Sequence, residues 1–97
     1  MPRLVEYRIT DDLRLRNEIA IEVDVLFDSG ERRWCYFMTP QALATCGDIL
    51  KGSRDVRVHP GVQHMIVCSR LDEEIVENTL QQLDREDELY VHTVPYK

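Results

Sequence analysis

Glycine-rich phosphate loops are missing from this 97-residue chain: it contains no G-x-G-x-x-G and no G-x-x-x-x-G-K-[ST], and G-x-S-x-G and H-E-x-x-H are absent as well. Sequence support for nucleotide binding and for the common hydrolase chemistries goes with them. Cysteine is scarce, and the three present, Cys35, Cys46 and Cys68, are odd in number and match neither a disulfide framework nor a Cys-x-x-Cys motif. Each lies in an apolar run, so they are expected to be reduced, mostly buried core residues rather than nucleophiles or ligands. Long apolar stretches are also lacking. The longest run without a formal charge, Trp34 to Gly47, is interrupted by Thr39, Pro40 and Gln41 and falls short of the roughly 20 apolar residues of a membrane span. The segment from Met1 to Glu6 offers no apolar leader, and residence in a reducing cytoplasm is the expectation.

What is present is the composition of an ordinary globular protein, 43% hydrophobic and 31% charged. Its length allows one hydrophobic core, hence one domain over residues 1–97. Eighteen acidic residues against twelve basic ones give a formal net charge of −6, which argues against polyanion partners such as nucleic acid.

Periodicity sets the expected elements. Val5, Tyr7 and Ile9 alternate with Glu6 and Arg8, and Ile19, Ile21, Val23, Val25 and Phe27 alternate with more polar neighbours; both read as strands with one buried face. Asp28-Ser29-Gly30-Glu31 has turn chemistry, and Arg33 to Met38 is the return strand of a hairpin. With Ser29 and Gly30 as a two-residue loop, Val25 faces Trp34, Val23 faces Tyr36 and Ile21 faces Met38, which assigns Trp34 and Tyr36 to the core. Thr39-Pro40 starts a helix carrying Ala42, Leu43, Cys46, Ile49 and Leu50 on one stripe. Val56 and Val58 form a short strand that turns at Pro60-Gly61 into a central strand, His64 to Cys68. Ser69 resembles a helix cap ahead of a stripe of Leu71, Ile75, Val76, Thr79, Leu80 and Leu83, and Leu89 to Val94 alternates as a last strand.

The fold class is therefore α+β, a two-layer domain with a mostly antiparallel sheet and two helices on one face, in the order β-β-β-α-β-β-α-β. From Arg33 onward the order βαββαβ is that of the ferredoxin-like arrangement. RNA-binding sheets of that order carry an aromatic-and-glycine run on a central strand, and this chain has none.

No catalytic or metal constellation is assembled by spacing. His59 and His64 flank the Pro60-Gly61 turn and would face each other across a ladder, but no third or fourth ligand accompanies them, and no metal or cofactor is expected. Cys68 lies about 13 Å along a strand from His64, too far for proton transfer. Arg33, Trp34 and Tyr36 belong to the densest cluster of aromatic and arginine residues, types enriched at interface hot spots. Candidate binding residues are thus Arg33, Trp34, Tyr36, His59 and His64. The expected function is a non-enzymatic module that binds a protein partner or a second copy of itself, most simply as a two-fold dimer joined through a strand edge that the hairpin leaves open. The alternative is a small-molecule-binding or enzymatic domain with a histidine-lined groove, anchored by His59, His64 or His92.

Overall fold

A computed structural model describes residues 2–10, 20–45, 48–49, 51–58 and 63–96. The elements run β1 (Leu4–Ile9), β2 (Ile21–Phe27), β3 (Arg32–Met38), α1 (Pro40–Thr45), β4 (Asp48–Ile49), β5 (Arg57–Val58), β6 (Met65–Val67), α2 (Glu73–Arg85) and β7 (Val94–Pro95). The fold is α+β, with a mixed five-stranded sheet. β1 and β2 are antiparallel, as are β2 and β3, while the other edge of β3 pairs in parallel with β6 at Tyr36 to Met38 and antiparallel with β7 at Arg33 and Trp34.

The expected hairpin forms, with a different register. The Gly30 N–H donates to the Phe27 carbonyl at 2.9 Å, the Phe27 N–H donates to the Glu31 carbonyl at 3.0 Å, and Gly30 has φ of 87°. The loop is therefore Asp28-Ser29-Gly30, three residues closed by a glycine in the left-handed region, rather than the two expected. One extra loop residue shifts the partner strand by one. Cys35 and Phe37 stand opposite Val23 and Ile21, whereas Trp34 and Tyr36 stand opposite Asp24 and Glu22. Trp34 and Tyr36 thus leave the core face, correcting the sequence-based assignment.

The face they leave is covered by α2. Ile21, Val23, Val25 and Phe27 of β2 and Cys35 and Phe37 of β3 form one cluster with Leu71, Val76, Leu80 and Leu89, and all but Leu71 are at most 1% exposed. Each such side chain contributes about 1.5–3 kcal/mol on leaving water. Helix α2 starts one turn later than Ser69 implies: Asp72 is the cap, its carboxylate accepting the Ile75 N–H at 2.8 Å. Glu73 and Glu74 in the first turn and Arg85 in the last suit the helix dipole.

After Arg85 the chain turns back under the sheet. The Glu88 N–H reaches the Leu83 carbonyl at 2.8 Å and the Asp87 N–H reaches the Asp84 carbonyl at 3.2 Å, with Asp87 at φ 59°. This is a Schellman ending with aspartate where glycine is usual. It directs Leu89 and Tyr90 inward, and Leu89 to His92 coil in a helical turn with bonds from His92 to Glu88 and from Thr93 to Tyr90. The expected strand over 89–94 is reduced to Val94–Pro95.

Three further expectations change. The α1 helix is capped by Thr39, whose hydroxyl accepts the Ala42 N–H at 3.1 Å, but Asp48 and Ile49 are a strand paired with β5 rather than helix. β6 is half-buried with Val67 exposed, a short edge segment and not a covered central strand. The ferredoxin-like arrangement is not formed by the described strands, because β2 holds one edge of β3 and β5 pairs with β4. The open edge of β2 that suggested a dimer is occupied by β1. Among the described residues no helix is long and apolar enough to cross a membrane.

Candidate functional site: the open face of the sheet

Alternation in β2 and β3 puts Glu22, Asp24, Trp34 and Tyr36 on the face opposite α2. Residues two apart on one strand face are neighbours, which brings the Trp34 and Tyr36 rings to 6.2 Å at an interplanar angle of 29°. His64 joins them because its carbonyl accepts the Tyr36 N–H at 3.0 Å as the chain enters β6. Its ring meets Trp34 edge-on at 4.7 Å and Tyr36 at 5.2 Å. Offset and edge-on pairs of this kind suit the ring quadrupoles. The His64 Nδ1 is buried and has no hydrogen-bond partner among the described residues.

The short β7 strand supplies the other wall. Val94, Pro95 and Tyr96 lie beside Trp34, His64 and Glu22 around a groove of about 570 Å³. The Tyr96 hydroxyl donates to Asp24, whose other carboxylate oxygen takes Arg8 at 3.2 Å. The groove is mostly apolar and aromatic, with the Glu22 carboxylate at its margin.

Of the residues singled out in the sequence, Trp34, Tyr36 and His64 come together here. Arg33 does not. It is 7% exposed on the covered side, where its Nε donates to Thr93 Oγ1 at 2.9 Å, its Nη2 donates to the Tyr90 carbonyl at 3.1 Å and its Nη1 pairs with Glu31 at 2.9 Å. Its guanidinium also sits 3.9 Å over the Tyr90 ring. These contacts make Arg33 a clamp on the 90–93 turn. His59 lies outside the described residues, and so does Cys46. His92 is turned away from the groove, its Nδ1 3.1 Å from the Gln63 carbonyl and its Nε2 3.6 Å from Glu88.

The sequence reading missed Glu22, Asp24, Val94, Pro95 and Tyr96. A three-residue loop would have brought the two acids beside Trp34 and Tyr36; the β7 wall depends on the turn after α2, which carries no glycine to mark it.

The two described thiols, Cys35 and Cys68, are poorly suited to chemistry. Burial, with the Asp24 carboxylate adding to it, pushes Cys35 up to about 12. Cys68 is half-buried, and desolvation raises it too, against a hydrogen bond with Thr79. Both are therefore thiols and not thiolates at neutral pH. Among the described residues, no group of three or more His, Cys, Asp or Glu is placed to hold a metal ion. Comparison with protein families, with curated proteins and with solved structures finds no match for this chain.

Proposed function

We propose that this protein is a non-enzymatic interaction module that binds a partner protein through the open sheet face, taking an arginine or lysine side chain of that partner into the groove between Trp34 and Tyr96. The observation that carries the reading is the clustering of Trp34, Tyr36 and His64 on the side of the sheet opposite α2, next to the groove that Glu22 borders. Tryptophan and tyrosine in a concave, partly desolvated setting are the usual anchors of protein interfaces. A guanidinium or ammonium over an indole gains about 0.5–2 kcal/mol from the ring quadrupole, and a nearby carboxylate favours the same sign of charge. The chain's net charge of −6 attracts cationic partners at long range.

Trp34 is the only tryptophan, so its fluorescence reports on this groove alone. Titration with an arginine-containing tripeptide amide is expected to change that emission saturably, and Glu22→Gln is expected to weaken the response several-fold. An uncharged citrulline analogue that titrates equally well would overturn the cationic reading. In parallel, proteins retained by the wild type from its native cell extract should be lost with Tyr96→Ala; their retention at full yield would remove the groove from the interaction.

A further inference from the structure

The second feature without an assigned role is the far edge of the sheet. β1 gives one edge to β2, and no described strand pairs with the other. The Thr10 N–H donates to the Glu22 carbonyl, and in an antiparallel ladder the direction of these groups alternates. Arg8 and Glu6 therefore point their backbone groups at β2, while Tyr7 and Ile9 point theirs away from it. Near the start of the strand, the Leu4 N–H is already taken by the Asp84 carboxylate at 2.9 Å.

α2 runs beside this edge at matching pitch. Leu4 touches Asp84, and the Tyr7 hydroxyl lies against Glu77, raised by burial first and then by the carboxylates of Glu77 and Glu73. Three residues of strand span about 10 Å and seven residues of helix about 10.5 Å, so strand and helix keep step, in opposite directions. Between them lies a groove of about 430 Å³, with Val5 and Tyr7 on the strand side and Glu77, Gln81, Asp84 and Arg85 on the helix side. Val5, at the bulge between Leu4 and Glu6, is 59% exposed.

We infer that this edge and groove form a second docking surface, which accepts an extended, basic segment of another protein as an added strand beside β1. Backbone groups of Tyr7 and Ile9 supply the ladder bonds, and alternate side chains of the incoming strand fall against α2. Charge selects the occupant. The helix wall presents Glu77 and Asp84 against Arg85 alone, and Glu73 and Glu74 continue the acidic run, so lysine or arginine at alternate positions is complementary. A second copy of this chain is not: a two-fold β1 contact would set the acidic wall of one α2 against the same wall of its mate. The inference does not rest on the aromatic groove, which lies on the opposite face.

The test uses an acetylated hexapeptide amide alternating lysine and valine, followed by amide NMR of the whole chain. The expected result is saturable binding with the Tyr7 and Ile9 amides shifted and newly protected from exchange, with a saturation midpoint that does not follow any change in Trp34 emission. Binding is expected to fall at least tenfold with Glu77→Lys, and tenfold or more when the peptide is N-methylated at alternate positions, a change that leaves the protein untouched. Equal binding of the N-methylated peptide, equal binding of a glutamate-for-lysine peptide, or shifts confined to the open face would each overturn it. So would a peptide-free dimer in sedimentation with the Tyr7 and Ile9 amides protected.

Discussion

The two faces of one sheet are built from interleaved residues of the same strands, and they could hardly differ more. On the side under α2, Ile21, Val23, Val25 and Phe27 are at most 1% exposed; between them Glu22 is exposed, and Asp24 and Leu26 are half-buried. In β2 the alternation of apolar and acidic residues leaves no choice of face, because the other parity would bury two carboxylates. In β3 both parities are apolar: Cys35 and Phe37 on one, Trp34 and Tyr36 on the other. Composition alone cannot decide which pair belongs inside. The loop decides it, and Trp34 and Tyr36 end half-buried on the face opposite α2.

The sharpest way to break this contrast is to exchange the environments of adjacent residues. Val23→Asp puts a charge in the covered layer opposite Cys35, and is expected to cost on the order of 4 kcal/mol or more in denaturant unfolding. Asp24→Ser, one position along, removes the contacts to Arg8 and the Tyr96 hydroxyl and is expected to cost less than about 1 kcal/mol. Similar losses from both substitutions would mean that the strand does not separate two environments.

The same contrast explains what was legible in the sequence. β2, β3 and α2 are long enough for their periods to speak, and the Thr39 cap and the turn at Gly30 were visible as residue types. The turn was recognised but its length was not, since Asp28-Ser29-Gly30-Glu31 supports loops of either two or three residues. That single ambiguity moved Trp34 and Tyr36 from the face opposite α2 to the core. Other differences have local causes. Asp72 outcompetes Ser69 as cap because its carboxylate reaches the Ile75 N–H, and Leu89 to His92 look strand-like until Asp87 takes a left-handed conformation that turns them under the sheet. Arg33 reads as an interface residue by type, and only the return of Tyr90 and Thr93 to β3 makes it internal.

Two ion pairs, one per face, give a finer comparison. Arg33 and Glu31 pair on the covered side with the arginine side chain 9% exposed; Arg8 and Asp24 pair on the open side with the arginine 79% exposed. Arg33→Met removes hydrogen bonds that fix the 90–93 turn and is expected to cost roughly 2–3 kcal/mol, the range for bonds made by a charged group. Glu31 keeps access to water, so the larger penalty of stranding a buried charge does not apply. Arg8→Met is expected to change stability by less than about 0.5 kcal/mol. Equal losses would place both pairs in the same dielectric.

The smallest effect is one of pH, and it arises from the Arg33 cluster at the rim of the covered face. The hydrogen bond from Arg33 is the main reason Glu31 is held below its ordinary value of 4.5, and the bond from the Tyr90 hydroxyl at 2.8 Å is the next. A carboxyl whose value is lower in the folded chain than in the unfolded one stabilises the fold in its ionised form. That contribution is complete above about pH 4.5 and is lost as pH falls through the folded value. Tyr90 shifts the other way: its bond to Glu31, and then burial, raise it above 10.0, so its contribution is present below pH 10.0 and is lost as pH rises through the raised value. Melting curves of wild type and Glu31→Gln should therefore differ most near neutral pH and converge on the acid side. Tyr90→Phe should remove part of the wild-type decline at the alkaline end. A gap between wild type and Glu31→Gln that stays constant from pH 7 down to pH 3 would mean that the cluster does not hold Glu31 as a charged acceptor, and the covered rim would then be as loosely tied as the open face.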